Sequence, residues 1–120
     1  MINFLKGRLN SIGFACKGIW KLIASEKNTW VHLAATIGVV VAAIMLPISK
    51  TDWLLLVIAI ALVWICEAFN TAIEKLCNLY STEYDKRIAD IKEISAGAVL
   101  IAATLAAIIG CYVFIPHFFR

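Results

Sequence analysis

Glu67, Asn70, Glu74 and Asn78 are the residues of this chain best placed by type and spacing to do chemistry. They stand in the stretch Cys66-Glu-Ala-Phe-Asn-Thr-Ala-Ile-Glu-Lys-Leu-Cys-Asn78. At about 100° per residue all four fall within about 80° of one another on a helix. The run before them, Trp53 to Cys66, carries no charge. A carboxylate at membrane depth costs at least ~2.5–3.5 kcal/mol at a helix centre. A stripe of such groups therefore points to a site, and to a bound cation.

The spacing divides the labour. Glu67 and Glu74 are two turns apart, about 10 Å along one face. One Mg²⁺ demands ligands at about 2 Å, so both acids do not serve the same ion. Counted from Trp53 at about 1.5 Å per residue, Glu67 lies about 21 Å into the span and Glu74 about 31 Å. Glu74, at the wet end, is the better metal ligand. Glu67, deeper and flanked by Ile65 and Phe69, is costly to keep charged, which suits a group that accepts a proton from a hydroxyl. Asn70, between them, can donate or accept hydrogen bonds. Glu26, just before the first apolar run, is an acid at the same level as Glu74. Two carboxylates with waters and phosphate oxygens make a plausible Mg²⁺ site. Lys92, at the start of the third run, could neutralise phosphate. His32 reads more simply as a packing or snorkelling residue than as a ligand. There is no glycine-rich phosphate loop and no kinase-type HRD or DFG run, so phosphoryl transfer here would need an unusual fold.

Composition says which elements must hold these groups. The chain has 120 residues, 62% hydrophobic and 16% charged, far too apolar for a soluble domain of this size. Three apolar runs can each cross a core of about 30 Å. The expectation is an all-α membrane protein forming one domain over 1–120. An amphipathic interfacial helix over 1–27 precedes transmembrane helices over 30–48, 53–74 and 94–114. The first helix follows from Leu5, Leu9, Ile12, Cys16, Ile19 and Ile23, spaced by threes and fours and flanked by Lys6, Arg8, Lys17 and Lys21. Pro47-Ile-Ser-Lys-Thr-Asp52 reads as a tight turn joining the first two spans, and residues 79–92 as a partly helical connection.

Of eleven basic residues, nine lie before the first span or between the second and third, leaving Lys50 and Arg120 on the other side. The positive-inside rule puts the N-terminus in the cytoplasm and the C-terminus outside. Topology accounts for the basic excess, so no nucleic-acid partner is expected. The opening Met1-Ile-Asn-Phe-Leu-Lys6 lacks the features of a cleaved signal peptide, and none is expected. Cys16, Cys66, Cys77 and Cys111 form no CxxC pair and read as small apolar fillers. Small residues in the third span, from Ala96 to Gly110, suggest close helix packing and self-association.

The run Glu67-Ala-Phe-Asn-Thr-Ala-Ile-Glu74 closely resembles the signature of the small prokaryotic diacylglycerol kinase family, which includes undecaprenol kinases. Lys92-Glu-Ile-Ser-Ala-Gly-Ala-Val-Leu100 is similar to its second block. Arg8, Ser11, Ala15, Gly18, Glu26, Asn28 and His32 fit its N-terminal pattern. The resemblance covers nearly the whole chain. It implies a homotrimer with active sites shared between subunits, and transfer of the γ-phosphate of ATP to a lipid hydroxyl. By position Glu67 would be the proton acceptor and Asn70 would orient groups beside it. Glu26 and Glu74 would bind the Mg²⁺ that bridges ATP phosphates. Glu83, Tyr84, Asp85, Lys92 and Glu93 would lie around the nucleotide, and Ala96 with Glu67 beside the lipid substrate. The chain departs from the pattern at Asn78 and Glu93, where Asp is usual, at Asp85, often His, and at Trp30, where Arg is common.

The leading expectation is thus an ATP- and Mg²⁺-dependent lipid kinase acting on diacylglycerol at the inner membrane interface, with undecaprenol as the alternative acceptor. Two other classes compete. A non-catalytic membrane scaffold would use the acids as packing contacts, and a small ion-conducting oligomer would line a wet axis with Glu67.

Overall fold

The computed structural model describes residues 1–25 and 27–119, with the backbone alone at Ser25. Four helices account for nearly all of it: α1 (Ile2–Ser25), α2 (Lys27–Met45), α3 (Lys50–Tyr80) and α4 (Lys86–Phe118). Helices α2, α3 and α4 are each long and apolar enough to cross a membrane. An unpaired backbone group in hydrocarbon costs several kcal/mol, and a helix pairs its own. The three expected spans are therefore present, but with different ends.

One difference is at α3, which was expected to end near Glu74 and runs to Tyr80. Its 31 residues make a rod of about 46 Å, well beyond a core of about 30 Å. The four polar residues of the stripe are thus held on one unbroken helix. Ser81 ends it: its backbone N–H reaches the Cys77 carbonyl, and its hydroxyl accepts from the Glu83 N–H at 3.1 Å. Likewise α4 starts at Lys86, eight residues before the expected span, and continues past Pro116. The connection expected over 79–92 is in fact residues 81–85. Asp85 caps α4, its side chain accepting from the Arg87 N–H at 2.8 Å. At the other end Ser49 caps α3, accepting from the Asp52 N–H at 3.1 Å, with Asp52 placed favourably in the first turn.

Packing is tightest between α3 and α4. A small apolar cluster sits at the end carrying the α2–α3 turn: Ala43, Leu56 and Val113, one from each span, with Val39, Trp53 and Ile109 against it. Helix α1 extends away from the spans. Residues 1–21 are exposed, and Leu22 is buried. The overall extents of 54 × 48 × 21 Å fit this, since three packed helices alone would be much narrower than 48 Å. None of the four cysteines is paired; Cys77 is buried and Cys16 exposed.

A polar tie joins α2 to α3 inside the apolar region. The Trp64 indole N–H donates to the Thr36 hydroxyl at 2.9 Å, and that hydroxyl donates to the His32 carbonyl at 2.7 Å. We expect Thr36→Val and Trp64→Phe to show a coupling of about 0.6 kcal/mol, and at most about 1.7, in a double-mutant cycle of unfolding in detergent. Strict additivity of the two substitutions would deny the tie.

Candidate active site

The polar stripe of α3 faces a groove of about 320 Å³. Its walls are Glu67, Asn70 and Glu74 from α3, Asn28, Val31 and His32 from α2, and Ala96 and Val99 from α4. Three helices meet here, with α4 tied to the stripe of α3 through the buried Ser95. The groove joins two acids and an amide that are distributed over two turns, as the spacing required. Roomier hollows exist elsewhere, one of about 510 Å³ between α1, α2 and α3, but its lining of Ile, Leu, Ala and Trp side chains carries no charged group.

Glu67 is the deepest of these groups, with 4% of its surface exposed. Its Oε2 stands 3.3 Å from Nε2 of His32 across the α2–α3 interface. The other carboxylate oxygen has no partner among the described residues. His32 was expected to be a packing residue. The structure gives it a chemical neighbour instead, and nothing in the local sequence around His32 signals that, because the partner is 35 positions away. Asn70 is held from α4: the Ser95 hydroxyl donates to its Oδ1 at 2.8 Å. Ser95 is buried and went unnoticed in the sequence, lying among small residues that read as packing. With Oδ1 so occupied, the Asn70 NH₂ is left as a pair of donors. Glu74 is half-buried on the same wall.

A sequence profile of the prokaryotic diacylglycerol kinase family matches residues 13–114. The chain belongs to this family. Among its relatives is an undecaprenol kinase of Bacillus subtilis, 30% identical over 114 residues that cover 95% of this chain and 93% of the relative. A diacylglycerol kinase of Escherichia coli K12 is 29% identical over 110 residues, covering 92% of this chain and 90% of that one. A diacylglycerol kinase of Synechocystis is 32% identical over 109 residues, 90% of this chain but 62% of its own length. The Bacillus and Escherichia relatives are thus of about the same length as the present chain, whereas the Synechocystis one is longer.

Of the residues expected at the site of such a kinase, Glu67, Asn70, Glu74 and Ala96 line the groove. Glu26 lies outside the described residues. Glu83 and Tyr84 stand exposed in the α3–α4 turn and do not line it. Lys92 reaches back from α4 to α3, its ammonium donating to Asn78 Oδ1 at 2.7 Å, which ties the fourth member of the stripe. Glu93 is exposed on the next position of α4. Among the described residues no three His, Cys, Asp or Glu side chains converge into a metal cage. Mg²⁺ does not require one, since it binds through one or two carboxylates and substrate phosphates. A half-buried glutamate at the open groove fits that habit.

Asp85 lies apart from the groove and is engaged by its own turn. Arg87 donates to both carboxylate oxygens, at 3.2 Å from Nε and 2.9 Å from the terminal nitrogen. These side-chain hydrogen bonds, helped by the Arg87 backbone N–H, lower the Asp85 pKa from 3.8 to about 2. A lowered carboxyl stabilises the fold above its ordinary value and loses that contribution as pH falls through the lowered one. The α4 cap is therefore fully charged throughout the neutral range. A carboxyl ¹³C titration should place Asp85 near 2 in the wild type. In Arg87→Gln it should move back toward 3.8; a wild-type midpoint already at 3.8 would refute the pairing.

Proposed function

We propose that this protein is an ATP-dependent lipid kinase that transfers the γ-phosphate of ATP to the hydroxyl of a lipid alcohol at the cytoplasmic face of a bacterial inner membrane. The observation that carries this reading is the groove itself. In a chain of a lipid kinase family, it brings a buried glutamate, an oriented amide and a second glutamate together beside small residues of α4. Glu67 takes the proton of the lipid hydroxyl through the carboxylate oxygen that His32 does not face. The Asn70 NH₂ donates to an oxygen entering the groove. Glu74, with Glu26, would hold Mg²⁺, which when bound offsets the charge of the ATP phosphates. Lys92 lies one helix away as a further positive charge, and Ala96 leaves room for the lipid. The rest of the work is positioning, as in other phosphoryl transfers.

The acceptor is diacylglycerol or undecaprenol. The match to the Escherichia coli and Synechocystis enzymes supports the first. The match to the Bacillus subtilis enzyme, which covers nearly all of both chains, supports the second. The membrane geometry follows the charges, with α1 along the cytoplasmic interface and the groove end of α3 reaching cytoplasmic water. A homotrimer with shared sites accounts for two features. Glu83 and Tyr84 do not reach the groove of their own chain, and Gly97 and Gly110 border open space, so their small size serves no packing within the chain.

The test is turnover of the purified protein in mixed micelles with Mg²⁺ and ATP, offering each lipid separately. Phosphorylated lipid is expected from one acceptor. Glu67→Gln should lower the rate by about 10²–10⁴-fold, the range for losing a general base, with helix content and assembly size unchanged. Absence of product from both lipids, or full activity in Glu67→Gln, would remove the kinase reading or the role of Glu67.

A further inference from the structure

The side chain nearest the Glu67 carboxylate is His32, and His32 is itself held in place. Two rungs join α2 to α3, one turn apart. In the lower rung Trp64 donates to Thr36 at 2.9 Å. In the upper rung His32 Nε2 faces Glu67 Oε2 at 3.3 Å. The rungs are linked on both helices. On α2 the Thr36 hydroxyl donates back to the His32 carbonyl at 2.7 Å. Between the helices the His32 ring stands edge-on to the Trp64 indole, with centroids 6.4 Å apart and planes at 61°. Trp64, pinned by its N–H, therefore limits how the imidazole can turn.

From this arrangement we infer that His32 is a positioning residue for proton transfer. Through Nε2 it fixes the Glu67 carboxylate so that the other oxygen faces the groove, and Thr36 with Trp64 fix His32. The inference rests on the proposed role of Glu67 as proton acceptor. A carboxylate with 4% exposure and no other partner among the described residues would otherwise be free to rotate. At 3.3 Å the two groups stand at ion-pair distance without a formed hydrogen bond, a contact of the kind a substrate can tighten. In the step served, the lipid O–H bond breaks and its proton passes to the groove-facing oxygen of Glu67. The lipid oxygen forms a bond to the γ-phosphorus, and the bond from that phosphorus to the bridging oxygen breaks, leaving its electron pair on ADP. His32 keeps its own proton throughout. Although it borders the groove, its effect is on where Glu67 points.

Asn and Gln separate this role from packing. The Gln amide nitrogen sits about where Nε2 of His sits, whereas the Asn amide falls short at the place of Nδ1. Wild type, His32→Asn, His32→Gln and Glu67→Gln are assayed together for kcat and for the KM of ATP, with assembly size and melting followed alongside. We expect His32→Asn to lose about 10²-fold in kcat, the scale of a misplacement near 1 Å, with the KM of ATP unchanged. His32→Gln should recover most of that loss. Should His32→Asn fail to assemble, Trp64→Phe keeps a ring against His32 and loses only the N–H to Thr36, and a several-fold fall in its kcat supports the same chain of contacts. Wild-type kcat in His32→Asn, equal losses in the Asn and Gln variants, or unchanged kcat in Trp64→Phe would overturn the positioning role while the kinase stands. A wild type inactive on both lipids would overturn the kinase reading and this inference with it.

Discussion

The contact between His32 and Glu67 joins the first two spans at a depth where a lone carboxylate is poorly tolerated. It fixes more than one side chain. The turn between Met45 and Lys50 is tight, so α2 and α3 run back along each other in step. From Ala43 to His32 is eleven residues, and from Leu56 to Glu67 is eleven. Both counts are close to three turns, so the face of α2 that packs Ala43 at one end presents His32 at the other. The face of α3 that packs Leu56 likewise presents Glu67. A one-residue slip in either helix would rotate its polar group by about 100° and leave the acid facing lipid. The register of the hairpin and the pairing of the acid are therefore one constraint.

The two ends of the bundle are built on different physics. In lipid there is no hydrophobic drive between apolar helices, and association comes from close packing and from polar contacts. At the turn end, Ala43, Leu56 and Val113 interlock with exposures of 1–3%, so dispersion holds that end. Toward the groove the joints are single polar ties: His32 to Glu67, Ser95 to Asn70, Lys92 to Asn78. Each ties one member of the α3 stripe to a different neighbouring residue. The stripe is thus oriented member by member, with room left between the ties. A site proposed to admit a lipid and a nucleotide needs that combination of fixed groups and open space.

Much of this was legible in the residues. The stripe was visible because its period is that of a helix and its background is uncharged, and the three spans because each is an uninterrupted apolar run. Helix ends were less legible. The second span was expected to stop at 74 and the third to start at 94, whereas α3 and α4 run on past those points beyond the membrane thickness. What terminates these helices is the Ser81 and Asp85 caps, local hydrogen bonds that hydropathy does not register. The partners of the stripe were the least legible. His32 and Ser95 are small or ambiguous residues on other helices, 35 and 25 positions from their partners, and only the packing of α2 and α4 on α3 brings them in.

The substitution of Asn for the usual Asp at position 78 takes on a physical meaning at this point. Lys92 meets Asn78 at 2.7 Å, a distance at which a carboxylate would form an ion pair. An amide oxygen accepts the same hydrogen bond and brings no negative charge. The lysine is oriented by the contact and keeps its full charge, which stays available to an anion approaching the α3–α4 end. An Asp there would hold Lys92 harder and cancel its field. The present chain thus exchanges a tighter helix–helix tie for a stronger positive potential beside the carboxylate stripe. For the polyanionic phosphate donor proposed above, an amide at 78 would leave more of the Lys92 charge to offset repulsion from Glu74 and Glu93, so the departure at 78 bears on the charge balance of the groove end.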